Sequence, residues 1–75
     1  MPQNATAAAF GDSVVRALAE LPERRRRPVQ LHLQGFGTQE VGNLLGISEP
    51  TARNLVYRGL EELRERLRNE GWNDD

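Results

Sequence analysis

Residues 39–58 read QEVGNLLGISEPTARNLVYR, and the fold turns on how that stretch divides. A short amphipathic run leads into a Gly46-Ile47-Ser48 break, and a second helical run follows. Gly46 suits the left-handed position that ends a helix, where a side chain would be strained. Ile47 points inward and locks the turn. Ser48 caps the second run, and Pro50 falls in its first turn, where a missing N–H is harmless. This is the shape of a helix-turn-helix, the unit that lays its second helix in the DNA major groove. In a chain of 75 residues, that unit accounts for most of what can fold.

The second run continues well past the motif. At roughly 100° per residue, Ala52, Val56, Leu60, Leu63 and Leu67 share one narrow arc, with Gly59 near its middle. Pro50, Arg53, Asn54 and Tyr57 fall on the opposite side. Beyond Arg58 the stretch EELRERLRNE has the mixed charge of a solvated helix. Gly71 then ends it, and Trp72 belongs to the tail or packs over the first helix.

On the amino side, Thr38 caps a third helix, Gln39 to Leu45, that buries Val41, Leu44 and Leu45. Gly35 and Gly37 bracket Phe36, which plugs the core. Pro22 opens a second helix running to about Gln34, with Val29 and Leu33 on one face. Pro28 inside that helix removes a backbone bond at a cost of ~3 kcal/mol. A kink is expected there, or regular helix only after the arginine run. Asp12 or Ser13 caps a first helix carrying Val14, Val15, Leu18 and Leu21. The expected organisation is a loose arm over 1–12, a domain over 13–70 and an acidic tail over 71–75. The fold class is all-α: a small four-helix domain with a C-terminal helix-turn-helix and a long last helix.

A domain this small buries only about 60% of its unfolded surface, so its stability is marginal. The absence of cysteine removes a disulfide framework and Cys-based zinc sites. His32 is the sole histidine, with no carboxylates spaced to help it hold a metal, so it reads as a packing or surface residue. No cofactor is called for. Neither a signal peptide nor an apolar run near the ~20 residues of a membrane span is visible, and a cytoplasmic location is expected. The net charge of −1 is unevenly spread. Residues 22–58 carry Arg24, Arg25, Arg26, Arg27, Arg53 and Arg58 against Glu23, Glu40 and Glu49. Residues 59–75 are net acidic, so the positive charge coincides with the helix-turn-helix region.

Taken together, LPERRRR at 21–27, LHLQGF at 31–36, EVGNLLGIS and TARNLVYRGLEELRERL resemble region four of bacterial RNA polymerase sigma factors. The similarity is greatest to the extracytoplasmic-function type and covers roughly residues 13 to 69. It implies a four-helix domain that recognises the upstream, minus-thirty-five promoter element. It also implies docking on the β flap of RNA polymerase core, and frequently cover by an anti-sigma factor. By this resemblance Glu49, Pro50, Thr51, Arg53, Asn54, Tyr57 and Arg58 fall where base and phosphate contacts arise. Thr38 and Gln39 fall where the family touches the DNA backbone. Gly42 replaces the family's common alanine, and Leu55 and Gly59 also depart from its pattern. No stretch resembles a sigma region two.

Arg53 has the forked geometry for guanine or phosphate, and Asn54 can pair with adenine. The run Arg24 to Arg27 is distributed around its helix, so one or two of the four face phosphate or polymerase. The rest pair with Glu20, Glu23 and nearby carboxylates. Leu55 packs against the third helix. No nucleophilic triad, catalytic carboxylate pair or phosphate loop is present, so an enzyme is not expected. Two other functions fit the pattern. One is a protein-interaction module binding polymerase or an anti-sigma factor, favoured by the net negative charge and Leu55. The other is a LuxR-type output domain, which shares the GxxxxE[IV][AG]xxL[GN]IS spacing.

Overall fold

A computed structural model describes residues 13–69. Four helices follow in order: α1, described over 13–19, α2 (Glu23–Leu33), α3 (Thr38–Leu45) and α4 (Glu49–Asn69). No strand occurs among the described residues, and the all-α four-helix arrangement is the one expected. The expected arm, the Asp12 cap, the helix end at Gly71, Trp72 and the acidic tail lie outside the described residues.

At 21 residues, α4 is about 31 Å long and packs against both α2 and α3. Its buried residues are Ala52, Val56, Gly59 and Leu63, on the arc that the spacing predicts. They serve two clusters. Ala17, Leu21, Val29 and Leu63 form one, flanked by Leu18, Leu60 and Leu67. Val41, Ala52 and Val56 form the other, flanked by Leu31, Leu45, Ile47 and Leu60. Leu60 packs against both.

Two glycines allow these elements to approach closely. A Cβ on Gly59 would stand 2.3 Å from Val29 Cγ2 and 3.3 Å from the Arg25 carbonyl oxygen. The helix-propensity loss of about 1 kcal/mol at Gly59 is therefore set against the tight crossing of α2 over α4. A Cβ on Gly42 would stand 2.8 Å from the Ile47 carbonyl oxygen, so the turn leaves no room for alanine without moving backbone.

Pro28 is accommodated within α2. Regular helix begins at Glu23, with Arg25 and Arg26 donating their N–H groups to the Pro22 carbonyl at 2.9 and 2.8 Å. The alternative of an irregular turn through the arginines is thus overturned. The Pro28 ring is fully buried, and its apolar burial offsets the lost backbone bond.

Several side chains lie elsewhere than expected. Ser13, Ala17 and Leu21 set the inward line of the first segment, and Val15, midway between them on the helix, is 64% exposed. In α3 the inward stripe is Val41 and Leu45, which leaves Leu44 57% exposed on its solvent side. Leu33 is likewise half-exposed at the end of α2. Phe36 does not plug the core. Gly35, at φ 110°, reverses the chain, and the Phe36 amide and carbonyl are tied back to Leu31 and His32. This leaves the ring at the surface. Thr38 is the first residue of α3 rather than its cap, Gly37 standing before it. The Glu40 carboxylate accepts the Gly37 N–H at 2.9 Å instead.

The second half of α4 is more than a solvated face. Arg25 Nε meets Glu62 Oε1 at 2.9 Å, Glu62 Oε2 accepts from Arg66 at 3.4 Å, and Arg66 donates to Glu20 at 2.8 Å. The chain of charges joins α2, α4 and the turn that follows α1. Each partly exposed pair contributes only about 0–1 kcal/mol, so the network chiefly fixes alignment.

Gly59→Ala should lower stability. The overpacking penalty of about 1–3 kcal/mol exceeds the gain in helix propensity, and chemical denaturation will show a net loss. Val29→Ala in the same chain should cost less than the two single changes summed, as a double-mutant cycle would register.

Candidate nucleic-acid interface

The approach of α4 to its surroundings is set by the turn before it. Gly46 adopts φ 72°, and the Ile47 N–H returns to the Gly42 carbonyl at 2.9 Å. Ser48 Oγ accepts the Thr51 N–H at 3.3 Å and donates to Thr51 Oγ1 at 2.8 Å. These bonds satisfy the first turn of α4 and fix the direction in which its outer face looks.

That face is continuous. Pro50, Arg53, Asn54, Tyr57 and Arg58 line one shallow concavity, and all five are exposed. Thr51 adjoins it, in a second hollow shared with Pro50, Asn54, Leu55 and Arg24. Leu55 is half-buried and so borders Arg24 of α2. Past Arg58 the surface becomes mixed in charge, where Glu61, Glu62 and Glu65 share a hollow with Arg25 and Arg58.

Glu49 occupies a different position from the others. It is half-buried, and both of its carboxylate oxygens are engaged. Thr38 Oγ1 donates to one at 2.7 Å, and Arg53 Nη2 donates to the other at 2.5 Å. The Thr38 hydroxyl, followed by Arg53, holds the Glu49 carboxyl below the usual glutamate range. The same carboxylate raises Arg53 further above its ordinary value. Thr38, Glu49 and Arg53 thus form a bonded series from the start of α3 to the outer face of α4. Gln39 is exposed beside it and lines neither hollow.

Of the four arginines at 24–27, Arg25 and Arg26 turn partly inward. Arg25 pairs with Glu62, and Arg26 reaches the Ala19 carbonyl at 3.4 Å. Arg24 and Arg27 are exposed, and Arg24 stands beside the first turns of α4. Nothing in the sequence separates Arg24 from its neighbours, because its place depends on how α2 crosses α4. Its polar surroundings complete a surface formed by two helices.

A helix-turn-helix whose second helix presents arginine, asparagine and tyrosine to solvent defines a DNA-binding domain. The family model for sigma-70, region 4, matches residues 11–63. The chain belongs to that family, a non-enzymatic transcription-factor domain that serves sigma factors in transcription initiation. It is similar to the ECF RNA polymerase sigma factor SigF of Caulobacter vibrioides (strain NA1000 / CB15N), with 44% identity over 54 residues. The matched region is 71% of this chain and 30% of that protein, so the chain spans under a third of this relative. No solved structure matches it significantly.

The depressed Glu49 pKa has a defined pH consequence. A carboxylate favoured in the fold contributes stability above its unfolded pKa and loses it as pH falls through the folded value. In an NMR titration, the Glu49 carboxyl should give a midpoint below that of a free glutamate. Thr38→Val should move that midpoint upward.

Proposed function

We propose that this domain recognises the upstream, minus-thirty-five promoter element by inserting the first turns of α4 into the major groove. The observation that carries this reading is the convergence of Pro50, Arg53, Asn54, Tyr57 and Arg58 on one exposed face behind a capped turn. Arg53 and Asn54 are the residues for base edges. Arg58, Thr51, Gln39 and the backbone N–H of Thr38, whose hydroxyl is held by Glu49, serve the phosphate backbone, and Pro50 and Tyr57 supply apolar contact. Glu49 acts at the same surface. In this reading the domain spans 13–70, and work at promoter DNA implies a cytoplasmic location. No helix among the described residues is long and apolar enough to cross a membrane.

The second partner is RNA polymerase core, through the β flap. Exposed Leu33 and Leu44 support this docking, since both are large apolar side chains in solvent that line neither hollow of the candidate interface. The same apolar exposure suits cover by an anti-sigma factor. A protein-interaction role accompanies DNA binding in this reading, while the sigma family match disfavours the LuxR-type alternative.

Binding of the chain to a promoter fragment should weaken with salt, each phosphate contact adding about −0.9 to the logarithmic slope. Arg53→Ala should reduce promoter affinity by about 1–3 kcal/mol. Leu33→Ser with Leu44→Ser should preserve DNA binding and weaken capture by a β-flap fragment. Salt-independent binding, with no loss in Arg53→Ala, would sink the DNA reading.

A further inference from the structure

Arg53 is not a free side chain waiting at the surface. One of its terminal nitrogens is held by Glu49, whose other oxygen is held by Thr38 in α3. Glu49 is therefore anchored to α3 as well as to Arg53. We propose that Glu49 is a positioning residue for base recognition: it orients the Arg53 guanidinium toward one base pair and thereby sets sequence discrimination while lowering general affinity for DNA. This inference rests on the reading that α4 enters the major groove.

The chemistry separates the two effects. A guanidinium offers five N–H donors in a fixed plane, and one carboxylate contact leaves an edge available for another acceptor. Fixing the plane favours a forked bond to a guanine edge over a less directional contact with phosphate. The negative charge itself opposes phosphate, so its removal favours every DNA sequence alike. Glu49 lines neither of the hollows formed by the outward residues of α4, consistent with action through Arg53. The Thr38 bond fixes a carboxylate across the turn, from one helix start to the next.

The test uses the full chain and a duplex library with a randomised central window. Wild-type protein selects an enriched sequence, and affinity is then measured for that duplex and for a scrambled one over a salt series. Glu49→Asp keeps the charge but shortens the reach. It should lower the ratio of selected to scrambled affinity about tenfold and leave the salt slope unchanged. Glu49→Gln should lower the ratio as well, while tightening binding to the scrambled duplex and steepening the slope. Thr38→Val alters no charge and should reduce the ratio in the same direction, which provides a second test if a Glu49 variant unfolds. Circular-dichroism melting identifies the folded variants.

The proposal is overturned if Glu49→Asp and Thr38→Val retain the wild-type ratio while Arg53→Ala loses it. It is also overturned if Glu49→Gln strengthens both duplexes in equal proportion. Failure of the underlying DNA reading looks different. In that case the wild type enriches no sequence, or Arg53→Ala retains the full ratio.

Discussion

Two helices can cross at backbone range only where one presents no side chain to the other. In this domain that place is Gly59, beneath Val29 and the Arg25 carbonyl. The crossing fixes α2 against the middle of α4 and brings Arg25 to Glu62. It also brings Arg24 beside the first turns of α4. The position of the outer face therefore depends on a contact nearly two helical turns from Arg53. Gly42 performs the same service at the other end, where α3 must turn closely into α4. Small residues at these approaches, rather than large ones, determine the shape of the domain.

What was legible in the sequence follows from periodicity and from local turn chemistry. The inward arc of α4, the left-handed Gly46 and the Ser48 cap depend on residues near one another in the chain. They could be read without knowledge of the rest. Phe36 and Leu44 could not, because hydrophobicity alone does not say whether an available core position lies opposite a residue. Ala17 illustrates the converse: its small side chain gives little hydropathy signal, yet it is fully buried. Gly59 has a propensity cost visible in sequence, whereas its benefit exists only in the crossing of α2.

The candidate interface divides along the same line. Pro50, Arg53, Asn54 and Tyr57 share an outer face because helical spacing makes them do so. The attachment of Glu49 to Thr38 spans eleven positions and two helix starts, so it is a tertiary relation. Arg24 joins the surface through another such relation. Residues on one helix were thus recognisable as a group, while those supplied or oriented by its neighbours were not.

Leu60 packs against both clusters, one on the α1–α2 side and the other on the α3 side. A side chain shared in this way couples the two halves energetically. Opening either cluster exposes Leu60 and weakens its remaining contacts, so the halves have little scope to unfold separately. In hydrogen-exchange terms the domain should behave largely as a single foldon, with α4 as its common axis. Mechanical rigidity at the outer face of α4 is then a property of the whole molecule, not of the turn alone.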